Sequence, residues 1–392
     1  MLPFEGIVVL DFARGYPGAY TTMFLGDFGA DIIRVDPPAP QFPEHDVDRS
    51  EWAAYQTVHR NKRSIIIDLK SDEGQVVLRK LVEKADVLLE GFRPGVMTRL
   101  NADYGTLKEV NPRLIYCSLS GFGADGPYAS VPAHDMNYIA LGGILSLIGQ
   151  RDGPPYLPSN FIADIGGAAM HGLVGILIAL FAREKTGRGQ LVDIAYLDSV
   201  ISLLAMEAPA YFLTGNVPRR GETRLTGRDP WTNVYKCKDG EYVTVACIEP
   251  HFWDNLCKAI GREDLIQYQR QTYPVEELDR VTAEIADIFI TKTRDEWWQF
   301  FKDKETCFGP VNYLNETFSD PQVLHRRMVV EIDHPKVGRV KQTGLPIKLS
   351  DTAGEIRSLG VPNGTHNEII LRELGYGNEE IAALLRSGAV GN

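Results

Sequence analysis

The sequence predicts a large α/β domain, a doubly wound parallel β-sheet covered by helices on both faces, and a smaller α+β domain late in the chain. Three observations predict it: β-rich runs alternating with helical patterns in the first half, a change of pattern after Asp198, and a return to β-like runs from Met328. Gly6–Phe12 is an apolar run of the kind found in buried strands, followed by an amphipathic stretch from Ala19 to Phe28 that ends at Gly29. Asp31–Asp36 is a second run, halted by Pro37-Pro38. Ser64–Leu69, Asp86–Gly91 and Leu114–Ser118 follow, and Ser71 before Asp72 and Glu73 has the form of a helix N-cap with acids in the first turn. Strands that alternate with helices require right-handed crossovers. Such a sheet takes its ligands outside the carboxyl ends of its strands.

After Asp198 a helix-like segment runs to about Leu213, and the polar, basic stretch with Arg219, Arg220, Arg224 and Arg228 reads as a linker over 201–229. Val234–Cys237 and Tyr242–Cys247 flank Lys238-Asp239-Gly240-Glu241, the pattern of a β-hairpin. Helical patterns fill Phe252–Ile260, Val275–Thr291 and Arg294–Asp303, and a last one falls at Asn378–Arg386. The expected division is a large domain over 1–200, completed by 325–392, and a small domain over 230–324.

Composition excludes several classes of function. The chain has 392 residues, enough for one or two domains, and a formal charge of −11 from 41 basic and 52 acidic residues. That balance argues against a sequence-independent grip on nucleic acid or an anionic membrane, so an anionic ligand needs a local basic pocket. Five cysteines without a C-x-x-C pair point away from a disulfide framework or zinc ribbon and toward a reducing, cytoplasmic setting. The N-terminus reads directly into a strand, with no basic, apolar leader. Ile165–Ala182 lacks charge, yet it contains His171 and four glycines and reads as a helix buried against a sheet rather than a membrane span.

Gly121–Gly126 fits G-x-G-x-x-G, but Pro127 and Pro132 follow where a dinucleotide site requires a helix, so it reads as a turn. Two basic features stand out. Arg60-Asn61-Lys62-Arg63 precedes a strand, and Arg93 lies in a glycine-flanked turn after one, where a phosphate can approach the backbone. His134-Asp135 opens one helical pattern, Asp164 precedes the apolar helix, and Glu249 lies between a strand and Pro250. Taken singly, the two carboxylates at helix starts are explained as caps, His134 as a core histidine and the basic run as solvated charge.

Together these residues resemble the class III CoA-transferase superfamily, and within it most closely the α-methylacyl-CoA racemases. The resemblance rests on Gly26–Asp31, Asp68–Ser71, Gly91–Val96, Ala133–Tyr138, Ala163–Gly167, Thr186–Gln190, Ile248–Pro250, Asp320–Gln322 and Leu371–Tyr376. It implies a Rossmann-like large domain and an interlocked homodimer that completes each site from both chains. It further implies that His134 and Asp164 exchange a proton at the α-carbon of an acyl-CoA thioester, with Glu249 orienting His134. The residue matching Asp135 is the nucleophile of the transferases, which form an aspartyl-CoA thioester. The whole His134/Asp164/Glu249 set favours the racemases.

Two acid/bases of unlike type work together only if burial raises Asp164 from the usual ~3.9 toward the ~6.5 of imidazole. The segment Asp164–Gly167 is the expected source of N–H groups for the enolate. The resemblance places Arg60, Lys62, Arg63 and Arg93 near the CoA phosphates and adenosine. Tyr138 is expected among the CoA contacts as well, and Tyr138, Trp231 and Met206 are candidates to line the pocket. Many relatives carry an arginine where this chain has Pro37, and neighbouring Arg34 is the candidate substitute. No metal or redox cofactor is expected, since CoA is part of the substrate. The resulting expectation is racemisation of 2-methyl-branched acyl-CoA thioesters. The alternatives are CoA transfer between carboxylic acids through Asp135, and a silent acyl-CoA-binding protein.

Overall fold

Residues 1–38, 49–334 and 338–391 are described by the computed structural model. The β-branched runs form β1 (Val8–Phe12), β2 (Asp31–Asp36), β3 (Lys62–Ile66), β4 (Val87–Glu90), β5 (Ile115–Ser120) and β6 (Leu191–Ala195). All pair in parallel, in the order β3-β2-β1-β4-β5-β6. The order reverses between β1 and β4, and the crevice at their carboxyl ends is the switch point where such sheets bind ligands.

Side chains alternate across the sheet. Val9, Ile32, Leu89 and Ile115 face one apolar layer with Met23, Phe24 and Leu25 of α1 (Tyr16–Asp27), whereas Leu10, Ile33, Leu88 and Tyr116 face another. The second layer includes Val77, Leu78 and Leu81 of α3 (Asp72–Lys84), which follows α2 (Arg49–Val58). Each fully buried Leu or Ile contributes roughly 1.5–3 kcal/mol. Ser71 caps α3 as expected, its hydroxyl accepting from the Gly74 N–H at 3.0 Å. Beyond β4 come α4 (Val96–Arg99), α5 (Tyr104–Val110) and α6 (Asp135–Leu141).

The apolar segment expected as one helix is wound in two ways: Phe161–Ala169 is π-helical and α7 (Met170–Thr186) is α-helical. Leu173, Ile176 and Ala179 are buried against the sheet, while Val174, Ile178 and Phe181 are exposed. The whole run Phe161–Thr186 is long and apolar enough to cross a membrane, with mean hydropathy 2.0, and 39% of its most apolar window is buried. Burial is therefore on one face only.

The expected long helix after Asp198 is instead α8 (Tyr196–Ser202) and α9 (Glu207–Thr214). Pro209 lacks an N–H and would clash with the carbonyl of Ala205, so a single helix cannot run through.

The described chain divides into two units. One comprises 1–142, 158–203 and 321–392, and the other 143–157 and 204–320. In the first, the C-terminal segment is tied to β3 by the His366 N–H to Ser64 carbonyl bond and by the Ile67–Val390 bridge. The second contains an antiparallel sheet of β7 (Thr232–Lys236), β8 (Tyr242–Ala246) and β9 (Phe308–Pro310) in that order. Against it pack α10 (Pro250–Ala259), α11 (Val275–Phe289) and α12 (Arg294–Phe301) around Trp253, Phe289 and Phe301.

Two segments read otherwise from sequence belong to this second unit. Residues 143–157 are held by Arg220, whose guanidinium donates to the carbonyls of Gly153 and Ser146, and by the Arg151–Asp279 ion pair. The same bonds pack the basic stretch read as a linker.

Candidate active site

In the first unit, two turns and two helix starts carry the chemistry-bearing residues. Asp135 is the first residue of α6 and is 5% exposed. Its Oδ2 accepts the backbone N–H of Ala163 at 2.8 Å and of Asp164 at 2.9 Å, tying the start of α6 to the π-helix. Its Oδ1 is buried without a hydrogen-bond partner among the described residues. His134, just before it, is extended (φ −128°, ψ 177°) and exposed, so it is not a core histidine. Its backbone N–H donates to Asn137 Oδ1 at 3.0 Å.

Asp164 is half-buried, and its carboxyl is pushed up to about 6, chiefly by burial and then by the neighbouring Asp135 charge, with Asn160 and His134 opposing. The expected raised aspartate is present, produced by the protein's own packing. The expectation that the Asp164–Gly167 N–H groups await an enolate needs correcting at its first member, because the Asp164 N–H is engaged by Asp135.

Tyr138 is buried on α6, with its ring against Phe122 (5.2 Å) and Tyr196 (4.9 Å). Its hydroxyl donates to the Ala133 carbonyl at 3.0 Å and closes over Gly121, where a Cβ would lie 2.5 Å from it. The phenol is thus a brace for the His134 turn rather than a free contact for CoA. Its acidity is suppressed to about 12 by burial and the Asp164 charge.

Arg93 is exposed on the turn after β4. That turn is anchored by buried Glu90, which accepts the Phe92 N–H at 2.7 Å and the Ser118 hydroxyl at 2.5 Å. The Gly121–Gly126 motif is a turn with Gly123 and Gly126 at positive φ and no helix before Asp135, as its prolines require.

The basic patch before β3 behaves otherwise than expected. Arg60, 1% exposed, pairs with Asp27 at 2.5 Å and donates to the Thr343 carbonyl. Lys62, 3% exposed, donates to Asp11 Oδ2, Thr22 Oγ1 and the Ala19 carbonyl. Arg63 bridges Asp31 and Glu373. Arg60 and Lys62 are therefore internal and cannot meet a phosphate. Arg34 cannot replace the missing arginine at Pro37 either, since it is buried and bonded to Asp36 and Asn363. Trp231 belongs to the core of the second unit, packed on Trp253, and is no pocket wall; Met206 is exposed.

Glu249, in the second unit, precedes α10 and is exposed. Its side chain makes no capping bond, which removes the bland explanation. Sequence reasoning did not single out Arg14 or Tyr196, which the structure sets beside the Arg93 turn and against Tyr138. Arg14, on the first strand–helix turn, offered a signal as a lone cation at a βα turn; Tyr196, stacked on Tyr138, offered none.

Fold and comparisons together make the chain an α/β enzyme of a CoA-transferase family. The chain belongs to CoA-transferase family III, whose family model matches residues 4–367. It is 36% identical to the alpha-methylacyl-CoA racemase of Homo sapiens over 97% of this chain and 95% of that protein. It is 32% identical to the formyl-CoA:oxalate CoA-transferase of Shigella boydii over 99% of each chain. Among solved structures, a CAIB/BAIF family protein from Brucella suis superposes with a TM-score of 0.79 at 30% identity, covering 95% of this chain and 99% of that one.

Proposed function

We propose that this enzyme inverts the α-carbon of 2-methyl-branched acyl-CoA thioesters by two-base proton transfer. The observation that carries the reading is the unequal state of the two neighbouring carboxylates. Asp135 holds two backbone N–H groups and is enclosed, whereas Asp164 is half-buried with its carboxyl near 6. An acyl-transfer nucleophile must reach the thioester carbon, and Asp135 is committed to structure. Asp164 suits proton exchange, because a base works best with its acidity near the working pH.

In this reading the ionised Asp164 removes the α-proton, the electron pair moves onto the thioester oxygen, and the imidazolium of His134 returns a proton to the opposite face. For the other enantiomer the roles reverse. The N–H groups of Asp135 and Met136, at the start of α6, are left without a partner among the described residues and receive the enolate oxygen. No separate cofactor takes part, since CoA is the substrate's own handle.

The test is proton NMR of one 2-methylacyl-CoA enantiomer in deuterium oxide with no acceptor acid. Loss of the α-proton signal with inversion is expected. No exchange across several chain lengths would instead favour the second reading, CoA transfer through an aspartyl-CoA on Asp135, which the 32% identical transferase supports.

The homodimer belongs to the same proposal. Exposed Val174, Ile178 and Phe181 in one unit and Phe212 and Leu213 in the other are the kind of apolar surface that association covers. Light scattering after size exclusion is expected to give twice the chain mass of 43.6 kDa.

A further inference from the structure

An acyl-CoA carries a pyrophosphate and a 3′-phosphate, and a chain of net charge −11 must meet them with local cations. Arg34, Arg60, Lys62 and Arg63 are each matched to a carboxylate. Arg14 is not. It lies on the turn between β1 and α1, at the carboxyl end of the strand that flanks the switch point. Its guanidinium lies over the Phe92 ring, 5.1 Å from the centroid, beside the turn that bears Arg93.

Arg14 Nε is buried without a hydrogen-bond partner, and its guanidinium makes no ion pair among the described residues. The charge of Asp36 is felt there, but that carboxylate is already held by Arg34 and the Ser64 hydroxyl. The turn itself is fixed from below. Asp11 accepts the Ala13 N–H at 2.9 Å through Oδ1, while its Oδ2 is gripped by buried Lys62 and Thr22.

We propose that Arg14 is this chain's own phosphate ligand for the acyl-CoA, in place of the arginine missing at Pro37. Half-buried, laid over the Phe92 ring and without an ion pair among the described residues, the guanidinium presents a planar fork that fits phosphate oxygens in pairs. Bound phosphate relieves the cost of an unpaired, partly desolvated cation. The buried Asp11–Lys62 pair thereby serves binding at one remove, by holding the turn in place before ligand arrives.

The proposal rests on the acyl-CoA reading, and calorimetry with free CoA separates the two. The full chain and its Arg14→Gln and Arg14→Lys variants are titrated with CoA and with dephospho-CoA. Failure of the wild type to bind CoA overturns the acyl-CoA reading itself. Given wild-type binding, Arg14→Gln is expected to weaken CoA by roughly ten- to a hundredfold, the range for a lost charged hydrogen bond.

Lysine, a point charge without the fork, is expected to restore only part of the affinity. A penalty that disappears with dephospho-CoA assigns Arg14 to the 3′-phosphate, and one that persists assigns it to the pyrophosphate. An unchanged affinity in Arg14→Gln overturns the proposal. If the melting curve shows that Arg14→Gln unfolds, Arg14→Lys carries the test, and wild-type affinity there overturns it.

Discussion

The two ends of the six-stranded sheet use the same residue types to opposite effect. Toward the amino ends, Arg60 and Arg63 meet Asp27, Asp31 and Glu373 in ion pairs, the Arg60–Asp27 pair fully enclosed. Toward the carboxyl ends, Arg14 has no counter-charge among the described residues, Arg93 is exposed, and Glu90 and Asp164 are held above the ordinary carboxylate range by burial. The difference teaches that a charge run in sequence says little about use until its partners are known. Matched charges buried at one end stabilise the fold. Unmatched ones at the other are available to a ligand.

Substitutions at the two ends break the comparison in different observables. The largest effect is expected from Asp164→Asn or His134→Ala, each lowering α-proton exchange by about 10²–10⁴-fold, the usual worth of a general acid or base, with the thermal midpoint nearly unmoved. Equal tolerance of both would sink the racemase reading. Next comes Lys62→Met, which leaves Asp11 charged and enclosed. Denaturant melts are expected to show a loss of about 3–5 kcal/mol.

A pH effect of intermediate size follows from Asp164. Its value of about 6 in the fold lies above the ~3.9 of an unfolded aspartate, so the fold favours the protonated form. Its contribution to stability is full below about pH 4 and lost as pH rises through 6, and Asp164→Asn should flatten that part of the curve. Exchange that uses Asp164 as base should rise with a midpoint near pH 6. Asp135→Asn, by removing the like charge beside it, should move that midpoint to lower pH. The smallest effect belongs to Arg63→Gln. Its pairs are partly exposed, so melts should shift by about 1 kcal/mol or less.

Much of this architecture was legible in the sequence, because strands and their crossovers are local patterns. The β-rich runs from Gly6, Asp31, Ser64, Asp86 and Leu114 each became a strand within a few residues of the expected place. His134, Asp135 and Asp164 were legible as a group through the resemblance of their flanking motifs. What stayed hidden depends on distance along the chain.

Lys62 finds Asp11 across 51 residues, and Arg60 finds Asp27 across 33, so the patch reads as basic while the structure leaves it neutralised. The helix break before α9 required weighing one proline, Pro209, against an otherwise persuasive apolar pattern. The winding of Phe161–Ala169 leaves no signature that periodicity detects, since its glycines and alanines suit either helix.

That winding has a consequence for evolution. A π-helical stretch carries a surplus residue relative to the α-helix it adjoins, and such surpluses gather at functional sites. Removing one residue between Phe161 and Ala169 lets the segment rewind as α-helix, changing the turn per residue and so the direction of the side chains within it. Asp164 would swing off its bearing toward His134 with every side chain still present. The geometry of this candidate site is thus guarded by length as well as by residue identity, and gaps in that stretch among relatives should travel with changes of chemistry.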